Sequence, residues 1–259
     1  MFVDLLGHRV HTVSFGAGAH TIVGISGAFG NWEIWQQPFE LLSARHRVIA
    51  YDHLGTGLTH VPADAVTFDN QVACCVALLD ALDVDRCVLA GDSSMVAVAV
   101  EVAARHPERV AALALVAGGV THDRDKATQR FVAGLRTDFD ATVDAFVEFC
   151  VPEPDCEHLR AWLREIIRRT GGERAARLAE SFYGVDVSGR LLDLSAPTAV
   201  VQGEGDVMPT STVATAEAIA GAVANGELVV LPGVGHVPTL TRPAEVAAIL
   251  DALVARADW

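Results

Sequence analysis

Short, unbroken apolar runs alternate along this chain with longer stretches in which polar residues return at helical spacing. The runs His20–Ser26, Arg47–Tyr51, Cys87–Ala90 and Val110–Val116 suit buried strands. Between them, Trp35–Ser43, Phe68–Leu82 and Val96–Ala104 read as helices, the last with Glu101 and Arg105 on its polar side. Pro107 closes that last helix, because proline disfavours helical backbone in the residue before it. Ahead of all these, Phe2–Ser14 alternates around Leu6-Gly7-His8 and predicts an antiparallel hairpin. Strands alternating with helices predict an α/β fold, a mostly parallel central sheet flanked by helices.

The rhythm changes between Gly119 and Leu194, where strand signals vanish. Lys126–Leu135, Asp140–Cys150, His158–Thr170 and Glu173–Tyr183 read as four helices, punctuated by Pro152, Pro154, Gly171, Gly172 and Gly184. Strand patterns resume at Thr198–Gln202 and Glu227–Leu231, and a helix over Ala244–Arg256 follows. The expected organisation is a core of residues 1–118 and 195–259, interrupted by a helical insertion at 119–194.

Candidate chemistry begins at Gly91-Asp92-Ser93-Ser94-Met95, where the apolar run from Cys87 breaks before the next helix. A strand, a sharp turn and a helix with serine at the apex form a nucleophile elbow, which lifts the hydroxyl above the sheet. The unpaired N–H groups at the new helix N-terminus favour a developing negative charge there. A serine hydroxyl is a poor nucleophile at neutral pH and needs a base, which in turn needs an orienting carboxylate. The resumed strands run into two candidates: Asp206 in the loop Gly203–Pro209 and His236 in the loop Pro232–Pro238. Both lie just past the C-terminal ends of strands, where open α/β sheets place their sites. Glu204, two residues earlier, is the competing acid.

Composition narrows the partners. With 259 residues, 51% of them hydrophobic, the chain can bury a sizeable core, and a net charge of −14 repels nucleic acid and anionic membrane surfaces alike. The five cysteines, Cys74, Cys75, Cys87, Cys150 and Cys156, are odd in number and show no C-x-x-C or metal spacing. Reduced thiols in a cytoplasmic protein are expected. The N-terminus lacks the basic head and apolar stretch of a signal peptide, and no apolar run is long enough to span a membrane.

Taken together, these pieces resemble the α/β-hydrolase family, in its capped single-domain form, over nearly the whole chain. The matching segments are Ser26-Gly27 after a strand, Asp52-His53-Leu54-Gly55-Thr56-Gly57, the elbow, Ala103–Val110, the Gly203–Asp206 loop and Gly235-His236-Val237-Pro238. The order Ser93, Asp206, His236 is also that of the family's triad. The resemblance implies a catalytic triad of Ser93, Asp206 and His236. It implies an oxyanion hole from the backbone N–H groups of Ala28 and Ser94, with Phe29 as the nearby alternative to Ala28. It implies that the insertion caps the site, with Phe29, Trp32, Met95, Phe131, Phe149, Phe182 and Tyr183 as candidate substrate-binding residues. Two departures stand out: Ser26 where the family usually has histidine, and Met95 in place of the elbow's last glycine. Asp92 adds an alternative, since relatives that cleave epoxides or halides carry aspartate at the apex; the register from Gly91 assigns serine.

The resemblance thus implies a serine hydrolase for a small, largely apolar carboxylic ester or lactone, acting through an acyl-enzyme. It implies no metal and no organic cofactor, and a monomer or homodimer. Two other functions use the same frame: a C–C bond hydrolase or secondary-metabolism tailoring enzyme, and a small-molecule receptor that keeps the fold without turnover.

Overall fold

The computed structural model describes residues 1–259. The first half runs β1 (Phe2–Leu5), β2 (His8–Phe15), β3 (Thr21–Ile25), α1 (Gln36–Leu42), β4 (Arg47–Tyr51), α2 (Phe68–Ala81), β5 (Cys87–Asp92), α3 (Met95–Arg105) and β6 (Val110–Val116). Then come β7 (Thr121–His122), α4 (Lys126–Thr137), α5 (Phe139–Cys150), α6 (Glu157–Thr170), α7 (Gly172–Glu180) and β8 (Val185–Asp186). The chain closes with β9 (Thr198–Gly203), α8 (Val213–Ala222), β10 (Gly226–Leu231), α9 (Pro238–Thr241) and α10 (Pro243–Arg256).

Eight strands form one sheet in the order β1-β2-β4-β3-β5-β6-β9-β10. The hairpin strand β2 pairs antiparallel with β1 and β4, and every other pairing in this sheet is parallel. The parallel strands β3, β5 and β6 are buried throughout, which explains their unbroken apolar runs. Successive side chains point to opposite faces. On β3, Val23 and Ile25 join the helices α2, α3 and α8, while Ile22 joins α1 and α10 on the other face. On β6, Leu113 and Leu115 divide from Ala112, Ala114 and Val116 in the same way.

From β3 the chain crosses to β4 on one side, and from β4 it returns to β5 on the other. The order therefore reverses between β3 and β5, and a crevice opens outside their C-terminal ends. Ser26 follows β3 at that point, and Ser93 follows β5.

The four helices between β6 and β9 do not pack on the sheet. Their apolar faces form a third cluster, in which Val132, Leu135, Val143, Val147, Leu163, Ile166 and Leu178 meet Phe29, Ile34, Val66, Val237 and Leu240. The last five lie on the loops, turns and the short helix α9 beyond the strand ends, so the insertion sits over them. An ionic ladder ties α5 to α6: Arg168 reaches Asp140 and Asp144, and Arg164 reaches Asp144 and Glu148. These pairs are partly exposed, so each contributes at most about 1 kcal/mol.

Three local features differ from the sequence reading. Strand structure is not absent from the insertion: β7 and β8 pair antiparallel where the chain leaves and re-enters the core. Two residues per strand are too few for an alternating pattern. The helix α8 is unpredicted because alanines all round it blur the buried face of Ala216, Ile219 and Ala220. Expected as helix from Trp35, the first helical segment begins as a 3-10 turn at Trp32–Trp35, capped by the Asn31 side chain. No helix is long and apolar enough to cross a membrane.

Candidate active site

Ser93 sits at the turn between β5 and α3 with φ of +54°, a left-handed conformation that is strained for serine. The surroundings enforce it. Ser93 N–H donates to the Val116 carbonyl at 2.8 Å, and the Ser93 carbonyl accepts from Val96 at 3.0 Å as the helix starts. Two glycines let other backbone close in. A Cβ on Gly91 would stand 2.6 Å from the Met95 carbonyl oxygen, and one on Gly118 would collide with the Ser93 carbonyl. Met95, the departure at the elbow, begins α3 and is fully buried in the main core. Its side chain joins that core and not the apolar cluster around Phe29.

His236 and Asp206 come to this turn from the ends of β10 and β9. His236 Nε2 lies 2.9 Å from Ser93 Oγ, and Nδ1 lies 2.8 Å from Asp206 Oδ2. With Nδ1 protonated toward the carboxylate, Nε2 is free to accept the serine proton. Asp206 is held by four donors: His236, Ser211 Oγ at 2.6 Å, Gln202 Nε2 at 3.0 Å and the Met208 amide at 2.9 Å. Burial alone would raise its pKa, but His236, Ser211 and Met208 hold it below the usual carboxylate value. Burial likewise works against a charged His236, yet the hydrogen bond and charge of Asp206, with the charge of Asp92, raise its pKa overall. Glu204 points elsewhere: its Oε2 accepts the Gly233 amide at 3.1 Å, bracing the histidine loop from outside.

The loop after β3 meets the elbow. A Cβ on Gly27 would stand 2.9 Å from Ser93 Cβ, so only glycine permits this approach. The loop is held without the family's usual histidine. Ser26 Oγ donates to the Asn31 carbonyl at 2.5 Å, and Gly30 N–H donates to the Gly27 carbonyl at 2.8 Å. Below, His53 Nε2 lies 3.3 Å from that same Gly27 carbonyl, and Asp92 Oδ2 accepts the Gly27 amide at 3.2 Å. Burial pushes the His53 imidazole down to about 4, so it is neutral and donates from Nε2. The amides of Ala28, Phe29 and Ser94 make no hydrogen bond within the protein.

Asp92 faces the base of this loop, not the apex. It is buried, and its Oδ1 has no partner. Burial pushes its carboxyl up to about 7, against the opposing pull of His236 and the Gly27 amide. A carboxyl whose pKa rises on folding binds more protons folded than unfolded, so it erodes stability as pH climbs from about 4 to about 7. Asp92→Asn keeps an acceptor for Gly27 and removes the charge. The gap in melting temperature between pH 5 and pH 8 is therefore expected to shrink, as thermal melts at the two pH values would show.

The aromatic candidates divide. Phe29 packs with Phe131 of α4 and Phe146 of α5, at centroid distances of 5.8 and 5.6 Å. Tyr183 belongs to the same cluster and carries Arg124 over its ring. The other expected lining residues make their contacts elsewhere. Trp32 packs its ring against Phe15 beside the sheet, Phe182 packs against Phe68 and His122 in the main core, and Phe149 is 45% exposed on α5. Periodicity reports burial but not which of three clusters a ring joins. Gln202 and Ser211, the partners of Asp206, escaped the sequence reading. The only hint of Gln202 was one polar side chain in an apolar strand.

A model of the alpha/beta hydrolase family matches residues 22–249, and the chain belongs to that family. Among its relatives, the protein named carbamate hydrolase RutD from Pantoea ananatis is 26% identical over 255 residues, covering 94% of this chain and 89% of that protein. The enol-lactonase from Burkholderia xenovorans LB400 superposes with a TM-score of 0.91 at 22% identity, over 98% of this chain and all of the other. An esterase from Exiguobacterium antarcticum superposes equally well, at 0.91, with 17% identity over 98% and 99% of the two chains. At these identities the two superpositions establish the fold alone.

Proposed function

We propose that this protein is a serine hydrolase of small, largely apolar carboxylic esters or lactones. The observation that carries the proposal is the continuous chain of hydrogen bonds from Ser93 through His236 to Asp206, at 2.9 and 2.8 Å. Ser93 Oγ attacks the carbonyl carbon as Nε2 of His236 takes its proton. Asp206 keeps the imidazole in the tautomer that can accept and steadies the imidazolium that forms. The tetrahedral oxyanion settles against the free amides of Ser94 and Ala28. Such donors act where charge develops, and losing one costs roughly a hundredfold or more in rate. His236 then protonates the leaving alkoxide. Water, deprotonated by the same imidazole, attacks the acyl carbon, and the imidazolium returns that proton to Ser93 Oγ as its bond to the acyl group breaks and the acid leaves.

The helical insertion, residues 119–194, serves as the cap in this scheme. Phe131 and Phe146 reach from it to Phe29, the neighbour of Ala28, and so offer an apolar wall for the acyl group. The names of the relatives agree with bond cleavage at a carbonyl, by carbamate, lactone or ester hydrolysis.

A panel of p-nitrophenyl esters and unsubstituted lactones tests the substrate class. Short apolar acyl esters are expected to turn over, each giving one alcohol and one acid by chromatography. Turnover confined to a vinylogous diketone, with a new carbon–hydrogen bond in the product, would assign C–C hydrolysis instead.

A further inference from the structure

His236 stands on a loop that the sheet alone does not hold. After Leu231 the chain runs through Pro232-Gly233-Val234-Gly235 to His236, with Gly233 in a left-handed conformation at φ of +68°. Two of the loop's consecutive amides donate to one short stretch of the insertion, at the end of α5. His236 N–H donates to the Cys150 carbonyl at 2.8 Å, and Gly235 N–H donates to Glu153 Oε1 at 2.8 Å.

The contact is close and built. A Cβ on Gly235 would stand 2.7 Å from the Cys150 carbonyl oxygen and 2.9 Å from Glu153 Oε2, and would also strike Pro152. Glu153 is 5% exposed, and its Oε2 has no hydrogen-bond partner. Burying a carboxylate that is only half satisfied carries a cost. The segment that presents it is in turn fixed by Arg160 of α6, whose Nη1 donates to the carbonyls of Val151 and Glu153 at 3.0 and 3.1 Å. A chain of contacts thus leads from α6 through residues 150–153 to the backbone that carries the imidazole.

Resting on the roles assigned above to Ser93 and His236, we propose that Glu153 is a positioning residue for His236. Its carboxylate oxygen anchors the Gly235 amide and so fixes the imidazole between Ser93 and Asp206. The insertion then does more than cover the site, because its residues 150–153 form part of the frame that aligns the general base. Reaction rate is steep in this alignment: a misplacement of about 1 Å can cost roughly a hundredfold. The wall proposed for the acyl group, Phe29, Phe131 and Phe146, is held by ring packing and not by Glu153, so the expected effect falls on kcat more than on KM.

The test compares Glu153→Ala and Glu153→Gln on p-nitrophenyl acetate, with wild type and Ser93→Ala alongside. Glu153→Ala is expected to lower kcat by about 10- to 100-fold with KM within about threefold. Glu153→Gln, which keeps an acceptor oxygen at the same reach, restores kcat to within about threefold of wild type. A folded Glu153→Ala protein with wild-type kcat overturns the proposal, as does a Gln variant as slow as the Ala variant. Where Glu153→Ala does not fold, Glu153→Asp withdraws the acceptor by one methylene and keeps the charge. About a tenfold loss of kcat in that variant supports the proposal, and undiminished kcat overturns it. Full turnover by Ser93→Ala would instead refute the serine mechanism itself, so the two failures are distinct.

Discussion

Ser93→Ala is expected to lower kcat for ester hydrolysis by roughly 10^4- to 10^6-fold, the scale seen when a triad nucleophile is removed. The change deletes one oxygen from a turn whose geometry is set by backbone contacts. The bonds from Ser93 N–H to Val116 and from Val96 N–H to the Ser93 carbonyl do not involve the hydroxyl. The left-handed φ of +54° remains, and alanine tolerates it no better and little worse than serine. Folding should therefore survive, and unchanged circular dichroism beside lost turnover is the expected pair of results. Residual rate above the uncatalysed reaction would come from the oxyanion donors and from binding. Steady-state kinetics on p-nitrophenyl acetate, with the enzyme freshly purified to exclude contaminating esterases, makes the comparison.

Asp206→Asn should be the next most damaging change, at about 10^4-fold in kcat. Every donor around this carboxylate expects an acceptor. If the new amide nitrogen takes the place of Oδ1, it confronts the Met208 N–H at 2.9 Å. If it takes the place of Oδ2, it confronts Ser211, Gln202 and the protonated Nδ1 of His236. The imidazole escapes the second clash by moving its proton to Nε2, and that tautomer cannot accept from Ser93. Loss of the carboxylate also removes the hydrogen bond and the charge that do most to raise the basicity of His236. The acid limb of the pH–rate profile should accordingly move to lower pH, as kcat measured from pH 4 to pH 9 would show.

The parts of this site were unequally legible in the sequence. Ser93, Asp206 and His236 each follow an apolar run at a strand end, and the elbow motif with the family's chain order linked them. The strands Arg47–Tyr51 and Val110–Val116 lie where their apolar runs placed them, because burial on both faces leaves no polar break. Asp92 and Met95 also resolve on physical grounds. The turn rotates Asp92 below the loop that follows β3 and Met95 into the core, leaving serine alone at the apex. What escaped notice depends on tertiary contact. Ser26 and His53 replace the missing loop histidine through bonds to Asn31 and Gly27. Glu153 lies 82 residues before the glycine it holds. No periodicity records such pairings.

The central claim is that Ser93 is an activated nucleophile, and the most direct measurement is covalent capture. Incubation with a fluorophosphonate should add one label per chain, and peptide mass spectrometry should locate it on Ser93. Ser93→Ala should take up none, and Asp206→Asn should react far more slowly. A wild-type protein that hydrolyses esters yet carries the label elsewhere, or carries none, would contradict the account.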